Sequence, residues 1–308
     1  MKEFAGKVKL IYIDPPYNTG NDTFKYNDKF QHSTWLTFMK NRLEAAEKLL
    51  ASDGTIYVQL DYREVHYLKV LMDEVFDRNL FRNHIIWCYT GPSGSNRFFP
   101  RQHDDILLYS KTDNYTFNQP RIQHESGVHN TGQVFGSFKE VDEKKKLRME
   151  EKGKLLEDWW IDIWSGDRYR KELIGYPTQK PEALLERIIK SSSDEGDVVA
   201  DFFCGGGTTP AVAQKLGRRW IACDQSRVAV AITQGRLESL YEKGSGGQQT
   251  LTDVPDASVE YWGTYEVPAL EELSQAEFND FIVTAFGGRA SSAGKTIHGY
   301  KREMPIFV

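Results

Sequence analysis

The sequence predicts an α/β fold built on a parallel sheet, and three observations lead there. Short apolar runs rich in β-branched and aromatic residues alternate with stretches whose apolar residues recur at helical spacing. The first such run, Val8-Lys9-Leu10-Ile11-Tyr12-Ile13, stops abruptly at Asp14-Pro15-Pro16-Tyr17. A late one, Asp197 to Phe203, stops at Cys204-Gly205-Gly206-Gly207.

Asp14 therefore sits at a strand's carboxyl end. Two prolines fix φ and remove two backbone donors, so the Asp14 carboxylate, the peptide carbonyls and the Tyr17 ring are held in a stiff, non-helical loop. Such a group can accept hydrogen bonds from an exocyclic amine while the ring stacks on the base that carries it. Taken alone, the loop reads equally well as an ordinary strand exit. A helix is expected over Ser33–Leu50, closed by Ser52-Asp53-Gly54. A strand over Thr55–Asp61, a helix from Tyr62 to Phe76 and strands over His84–Tyr89 and Asp105–Ser110 follow, with a Gly/Ser/Pro-rich stretch over residues 90–99 between the last two.

From residue 111 to 175 the pattern loosens. Lys139 to Glu157 is a mixed-charge run, read as a solvated helix or an insertion. Trp159, Trp160 and Trp164, followed by Arg168, Arg170 and Lys171, suit a core more readily than a stacking surface for nucleic acid. Order returns with helices over Glu182–Ser191, Pro210–Leu216 and Val228–Tyr241, and with strands over Asp197–Phe203 and Trp220–Asp224.

Strand, glycine cluster, helix, strand and terminal acid form the plan of a nucleoside-binding βαβ unit. Glycines let the chain turn tightly and let a ligand approach the backbone. Asp224 follows the turn by roughly 20 residues, the spacing of an acid that accepts ribose hydroxyls. The third glycine of a dinucleotide fingerprint is replaced by Pro210. The unit points to a nucleoside-type cofactor.

With 308 residues, 40% of them hydrophobic, the chain can bury a substantial core. No apolar run approaches the roughly 20 residues of a membrane span, and the N-terminal residues lack an apolar signal region, so no membrane partner and a cytoplasmic location are expected. Cys88, Cys204 and Cys223 are widely spaced within or beside apolar runs and read as buried free thiols, with no metal site. A net charge of -5 confines any nucleic-acid contact to a local basic face.

Together the two sites resemble the amino-methyltransferases of DNA, which use S-adenosylmethionine to methylate an exocyclic base nitrogen. Asp14-Pro15-Pro16-Tyr17 matches their catalytic motif, Asp201 to Thr209 matches their cofactor motif, and Tyr176 to Ile189 is similar to the segment preceding it. The catalytic motif comes first, as in the circularly permuted β group that includes modification subunits of type III restriction systems. The resemblance implies a Rossmann-like, doubly wound, mostly parallel sheet with an antiparallel strand, both loops lying at the carboxyl ends of adjacent central strands. It implies a site-specific DNA methyltransferase acting on adenine N6, with cytosine N4, or an inactive DNA- or cofactor-binding module, as alternatives. Asp14 and the carbonyl of Pro15 would hold the amine of a flipped base, with Pro16 stiffening the loop and Tyr17 stacking. An ordinary carboxylate is a weak base toward an amine, which makes Asp14 a hydrogen-bond partner first.

S-adenosyl-L-methionine would lie against Lys180, Pro181, Asp201, Phe202, Phe203, Gly205, Gly207, Thr208 and Asp224. The implied division is a catalytic half over 1–111, a target-recognition insertion over 112–175, a cofactor half over 176–245 and an extension over 246–308. Implied partners are double-stranded DNA and a restriction subunit or second copy. The chain departs from the family at Phe202, where relatives carry Pro, and at Gly206. It also lacks the strand ending in Gly-Asp that usually precedes the catalytic strand. Either the chain is part of a longer protein, or Val259–Glu266 supplies an edge strand instead.

Overall fold

In the computed structural model the opening apolar run is strand β1, Val8–Ile13, buried on both faces. The structure describes residues 3–20, 28–89, 97–122, 154–163, 172–244 and 257–260, and the backbone of three short strands between 289 and 306. Helix α1, His32–Leu49, follows the catalytic-type loop and buries Trp35, Met39, Leu43, Ala46 and Leu49, a stripe at the spacing of one helical face. Strand β2, Leu50–Leu60, starts five residues earlier than expected. The Ser52-Asp53-Gly54 segment lies inside this strand, where the register with β1 shifts between Val8 and Leu10. Glycine is needed there, since a Cβ at Gly54 would stand 2.9 Å from the Val8 carbonyl oxygen.

Helix α2, Val65–Phe76, buries Val65, Leu68, Met72 and Phe76 on the same face of the sheet as α1. Strands β3, Phe81–Cys88, and β4, His103–Ser110, come next. Arg121–Ile122 (β5) pairs with Lys154–Leu155 (β6), and Trp159–Trp160 (β7) then returns to the main sheet beside β3. The chain continues through helix α3 (Glu182–Ser192), strand β8 (Val198–Asp201), helix α4 (Thr208–Lys215), strand β9 (Arg219–Ala222) and helix α5 (Arg227–Gly244).

The main sheet has the order β7-β3-β4-β2-β1-β8-β9. Every pairing is parallel except those of β4, which runs antiparallel to both β2 and β3. This is the predicted doubly wound sheet with one reversed strand. One core cluster lies under α1 and α2, and the other lies under α3 and α4, with Leu184, Leu185, Ile188 and Val212. Alternating residues of β1 feed both, Ile11 and Ile13 one side, Leu10 and Tyr12 the other.

Trp160 is buried in the second cluster, as a core reading of that stretch expects, whereas Trp159 is exposed. Trp164, Arg168, Arg170, Lys171 and residues 139–153 lie outside the described residues. One expectation fails, because only Cys204 is buried; Cys88 is intermediate and Cys223 is exposed. Cys223 sits one residue past the end of β9, where it lines a cleft at the sheet edge instead of the core. No described helix is long and apolar enough to cross a membrane.

The chain divides into two units, Met1–Gly244 and Ser245–Val308. The second contains an antiparallel three-stranded sheet, Arg289–Ala290, Gly299–Lys301 and Met304–Ile306. Val259 and Glu260 are not in a strand, and residues 261–266 lie outside the described residues.

Candidate active site

β1 and β8 lie side by side and parallel, Ile11 opposite Ala200, so the loops that leave them meet at one edge. A cleft of about 260 Å³ opens there. It is lined by Asp14, Pro15, Pro16 and Tyr17 from the first loop, and by Asp201, Phe202, Phe203, Gly205, Thr208 and Asp224 from the second half. Lys180 joins them; Pro181 and Gly207 do not line the cleft. Pro181 instead caps the start of α3, and Gly207 caps α4 in the left-handed region at φ 72°.

The first loop is fixed from three sides. Trp35, fully buried on α1, donates its indole N–H to the Pro16 carbonyl at 2.8 Å. The Pro15 carbonyl has no hydrogen-bond partner among the described residues. Downstream, the Asp28 carboxylate accepts the backbone N–H groups of Asn18 and Thr19, while the Asn18 side chain donates to Glu64 at 2.8 Å. Asn18 itself has φ 58°, a conformation that asparagine tolerates better than most residues.

Both oxygens of Asp14 are engaged. Oδ1 accepts the Tyr17 hydroxyl at 2.6 Å, and Oδ2 accepts Lys180 Nζ at 2.5 Å. The Lys180 ammonium also lies 5.3 Å from the centre of the Tyr17 ring. Lys180 thus reaches the catalytic-type loop, while its backbone carbonyl accepts the Thr208 hydroxyl at 3.2 Å. The residue links the two halves of the cleft.

Behind Tyr17 lies a buried polar network that the sequence did not disclose. The Tyr17 hydroxyl is 3.1 Å from Asp104 Oδ2. The same carboxylate accepts Gln59 Nε2 at 2.7 Å and the Tyr89 hydroxyl at 3.0 Å, and Gln59 accepts the Tyr12 hydroxyl at 2.7 Å. Burial pushes the Asp104 carboxyl up from its ordinary value. Burial, then the Asp104 and Asp14 charges, push the Tyr17 hydroxyl up as well, so it stays protonated and donates. Tyr12, Gln59 and Asp104 lie on three different strands and Tyr89 just past a fourth, so no local motif marks them. Their only sequence signal is the polar Gln59 near the end of an apolar run and the acid pair Asp104-Asp105 that opens β4.

The glycine turn is held equally firmly. Gly205 N donates to Asp224 Oδ2 at 2.9 Å, and Ser226 N donates to Asp224 Oδ1 at 2.8 Å. Arg236, buried on α5, donates to the Gly206 carbonyl, the Thr208 hydroxyl and Glu182. A Cβ at Gly207 would stand 2.6 Å from Thr233 Oγ1, and one at Gly206 would stand 3.0 Å from Tyr176 Cβ. Asp201 ends β8 fully enclosed, accepting Thr209 Oγ1 at 2.5 Å and Phe203 N at 2.9 Å. Phe202 and Phe203 line the cleft while also packing on the core. Among the described residues no group of His, Cys, Asp and Glu could hold a metal ion.

Comparison with known proteins places this geometry. The model of the DNA methylase family matches residues 8–235. The probable type III restriction-modification enzyme HindVI Mod subunit of Haemophilus influenzae is 32% identical over 370 aligned positions, covering 80% of this chain and 49% of that protein. The type II methyltransferase M.HpaI of Haemophilus parainfluenzae is 31% identical, over 75% of this chain and 68% of its own length. The chain therefore spans about half the length of the type III relative. Among solved structures, the M1.HpyAVI–SAM complex aligns at a TM-score of 0.50 and 22% identity, over 75% of this chain and 89% of that one. The cytosine-N4-specific PvuII DNA methyltransferase aligns at 0.52 and 17%, over 75% and 80%. These two structures share the fold. With its family model matched over most of its length, the chain belongs to the DNA methylase family.

Proposed function

We propose that this chain is a site-specific methyltransferase that moves a methyl group from S-adenosylmethionine to N6 of an adenine flipped out of double-stranded DNA. The observation that carries the reading is the meeting of Asp14-Pro15-Pro16-Tyr17 with the glycine turn in one cleft, bridged by Lys180. The cleft suits the cofactor. Gly205 and Gly207 have positive φ, which keeps the turn tight and its backbone approachable. Each Asp224 oxygen accepts one backbone N–H and keeps a lone pair for a ribose hydroxyl. Asp14, Asp28, Asp201 and Asp224 outnumber Lys180 and Arg42 in the lining, which suits a cationic ligand.

Bound S-adenosylmethionine supplies an electrophilic methyl carried on a sulfonium. The chain supplies position. Asp14 and the Pro15 carbonyl accept the two N–H groups of the amine, which directs its lone pair out of conjugation and toward the donor side. The Tyr17 ring stacks on the base, and the Tyr17 hydroxyl and Lys180 orient the Asp14 carboxylate. After transfer the nitrogen sheds one proton, and Asp14, as its hydrogen-bond partner, is placed to receive it.

An Asp at the first motif position favours adenine over cytosine, as the family resemblance implies. Residues 112–175 would carry target recognition, and residues 246–308 would begin a further module. A restriction subunit or a second copy completes the assembly that the type III relative's name suggests. The deciding experiment incubates the chain with labelled S-adenosylmethionine and mixed-sequence DNA and identifies the modified nucleoside. N6-methyladenine is expected, and N4-methylcytosine would overturn the base assignment. A folded sample that binds cofactor and DNA but transfers nothing would overturn the enzymatic reading in favour of a binding module.

A further inference from the structure

Beside the cleft stands a ledge of aromatic and arginine side chains that the chemistry above does not use. Tyr62 lies two residues past the end of β2, and Arg101 lies two residues before β4 begins. Leu60 of β2 pairs with Asp105 of β4, and Val58 is level with Ile13 of β1. Tyr62 and Arg101 therefore rise from the same sheet edge as Asp14, within one or two strand spacings of about 4.8 Å each. The adjoining Asp104 touches Tyr17 itself.

The Arg101 guanidinium rests against two rings, 3.9 Å from the centre of Tyr62 and 4.6 Å from that of Phe98, and donates to the Tyr62 hydroxyl at 3.0 Å. Arg63 lies 4.9 Å from the centre of the Tyr62 ring and pairs with Asp61. Phe99, next along the chain, is 95% exposed, and Phe98 is 54% exposed. Single apolar residues on a surface are ordinary, but three adjoining aromatics interleaved with arginines are the composition of a nucleic-acid surface. In a chain of net charge -5, Arg63 and Arg101 gathered on the Tyr62 ring, with Asp61 the acid paired there, make a local basic face.

We infer that this ledge receives the DNA duplex at the flipped nucleotide, with Phe99 entering the gap that the base leaves and Arg101 taking an adjacent phosphate. The inference rests on the DNA reading proposed above. The fit is physical. A flipped base opens a gap of twice the stacking rise of about 3.4 Å, the room that one flat ring needs between its neighbours. A guanidinium already laid on Tyr62 and Phe98 has little rotamer freedom left to lose when it binds phosphate. In the sequence, residues 90–99 form only a Gly/Ser/Pro-rich stretch, because Phe98 and Phe99 acquire meaning only once Tyr62 and Arg101 are beside them.

The test compares the parent chain with F99A and R101Q on a duplex carrying the site found by nucleoside mapping, once with the target adenine paired and once with it mismatched. All three proteins should share a melting temperature and an S-adenosylmethionine affinity. F99A should methylate the paired site at least about tenfold more slowly and recover on the mismatched one, where extrusion costs less. R101Q should bind mixed-sequence duplex more weakly, with a salt slope reduced by about one. Parental behaviour of both variants, or an F99A defect that the mismatch does not relieve, would overturn the inference. So would loss of self-association in F99A by sedimentation, which would assign the ledge to a second copy. If the parent itself methylates no DNA, it is the underlying reading that fails, whatever the variants do.

Discussion

Replacing Asp201 by Asn tests the electrostatics of the cleft floor. Burial pushes this carboxyl up to about 7; the Thr209 and Phe203 hydrogen bonds pull it down, and the Asp14 and Asp224 charges add to the rise. In the unfolded chain the same group titrates near 3.8. Between those values the folded protein holds a proton that the unfolded chain has released. Because the folded value is the raised one, the stabilisation is complete below about pH 4 and is lost as pH climbs toward 7. The slope approaches about 1.4 kcal/mol per pH unit, which sums to an order of 4 kcal/mol over the window. D201N cannot titrate, so its stability relative to the parent should rise steadily across that range. Urea unfolding at a series of pH values from about 4 to about 8 measures the difference. Parallel curves for parent and variant would refute the reasoning, since they would show a carboxyl that ionises alike in both states. A cationic ligand beside Asp201 should also lower its proton affinity, so S-adenosylmethionine binding near pH 7 should release protons in the parent and fewer in D201N, read by calorimetry in buffers of different ionisation enthalpy.

Three further outcomes follow from the same geometry. Tyr17→Phe keeps the stacking ring but removes a hydroxyl shared by Asp14 and Asp104; at about 1.5–3 kcal/mol for a hydrogen bond to a charged group, single-turnover methylation should slow by roughly 10- to 100-fold, with Tyr17→Ala worse still. A Tyr17→Phe rate equal to the parent's would show that the ring alone matters. Trp35→Phe strands the buried Pro16 carbonyl and should cost about 1–3 kcal/mol in urea unfolding, with a larger fall in methylation than in cofactor affinity. Gly207→Ala forces a Cβ at φ 72° against Thr233 and should cost roughly 1–3 kcal/mol and weaken cofactor binding; an unchanged melting temperature would mean that the turn has room to relax.

Much of this was legible because it is local. A strand that stops at Asp-Pro-Pro, or one that runs into three glycines, announces its loop within ten residues, and both loops were placed correctly at adjacent strand ends. Helices α1, α2 and α3 are legible because each shows one apolar face, whereas the two-residue strands β5, β6 and β7 are not, and Lys154–Leu155 is a strand within the run expected as a solvated helix or an insertion. Boundaries drifted where tertiary contact overrode local chemistry. Ser52-Asp53-Gly54 has the composition of a turn, yet it is carried inside β2 because β1 offers it a partner across a bulge. The network of Tyr12, Gln59, Tyr89 and Asp104 was illegible for the opposite reason. It draws single residues from three strands and from the position just past a fourth, and only the reversed strand β4 brings Asp104 to Tyr17. Arg236, which fastens the glycine turn to α3, is likewise one cation in a helix until the fold aims it.

The distribution of charge argues how one edge of a sheet can serve two ligands of opposite sign. Carboxylates concentrate at the ends of β1, β8 and β9, where Asp14, Asp201 and Asp224 face the cleft and Lys180 is bound to the first of them. A phosphate would be repelled there, whereas a sulfonium or the hydrogens of an amine would be held. Arg42 and Lys180 also line the cleft but are outnumbered by its acids, whereas Arg63 and Arg101 stand outside, one and two strands along, on the ledge with Tyr62 and Phe98. A duplex lying on that ledge keeps its backbone against cations and can satisfy the acidic cleft only by sending in a base, whose amine is a donor. Extrusion of the base is on this view a consequence of the charge layout as much as of shape. Reversing the outer sign by R101E should therefore weaken DNA binding more than R101Q does while leaving S-adenosylmethionine affinity untouched. Equal effects of the two substitutions on DNA would show that Arg101 acts through packing and not through its charge.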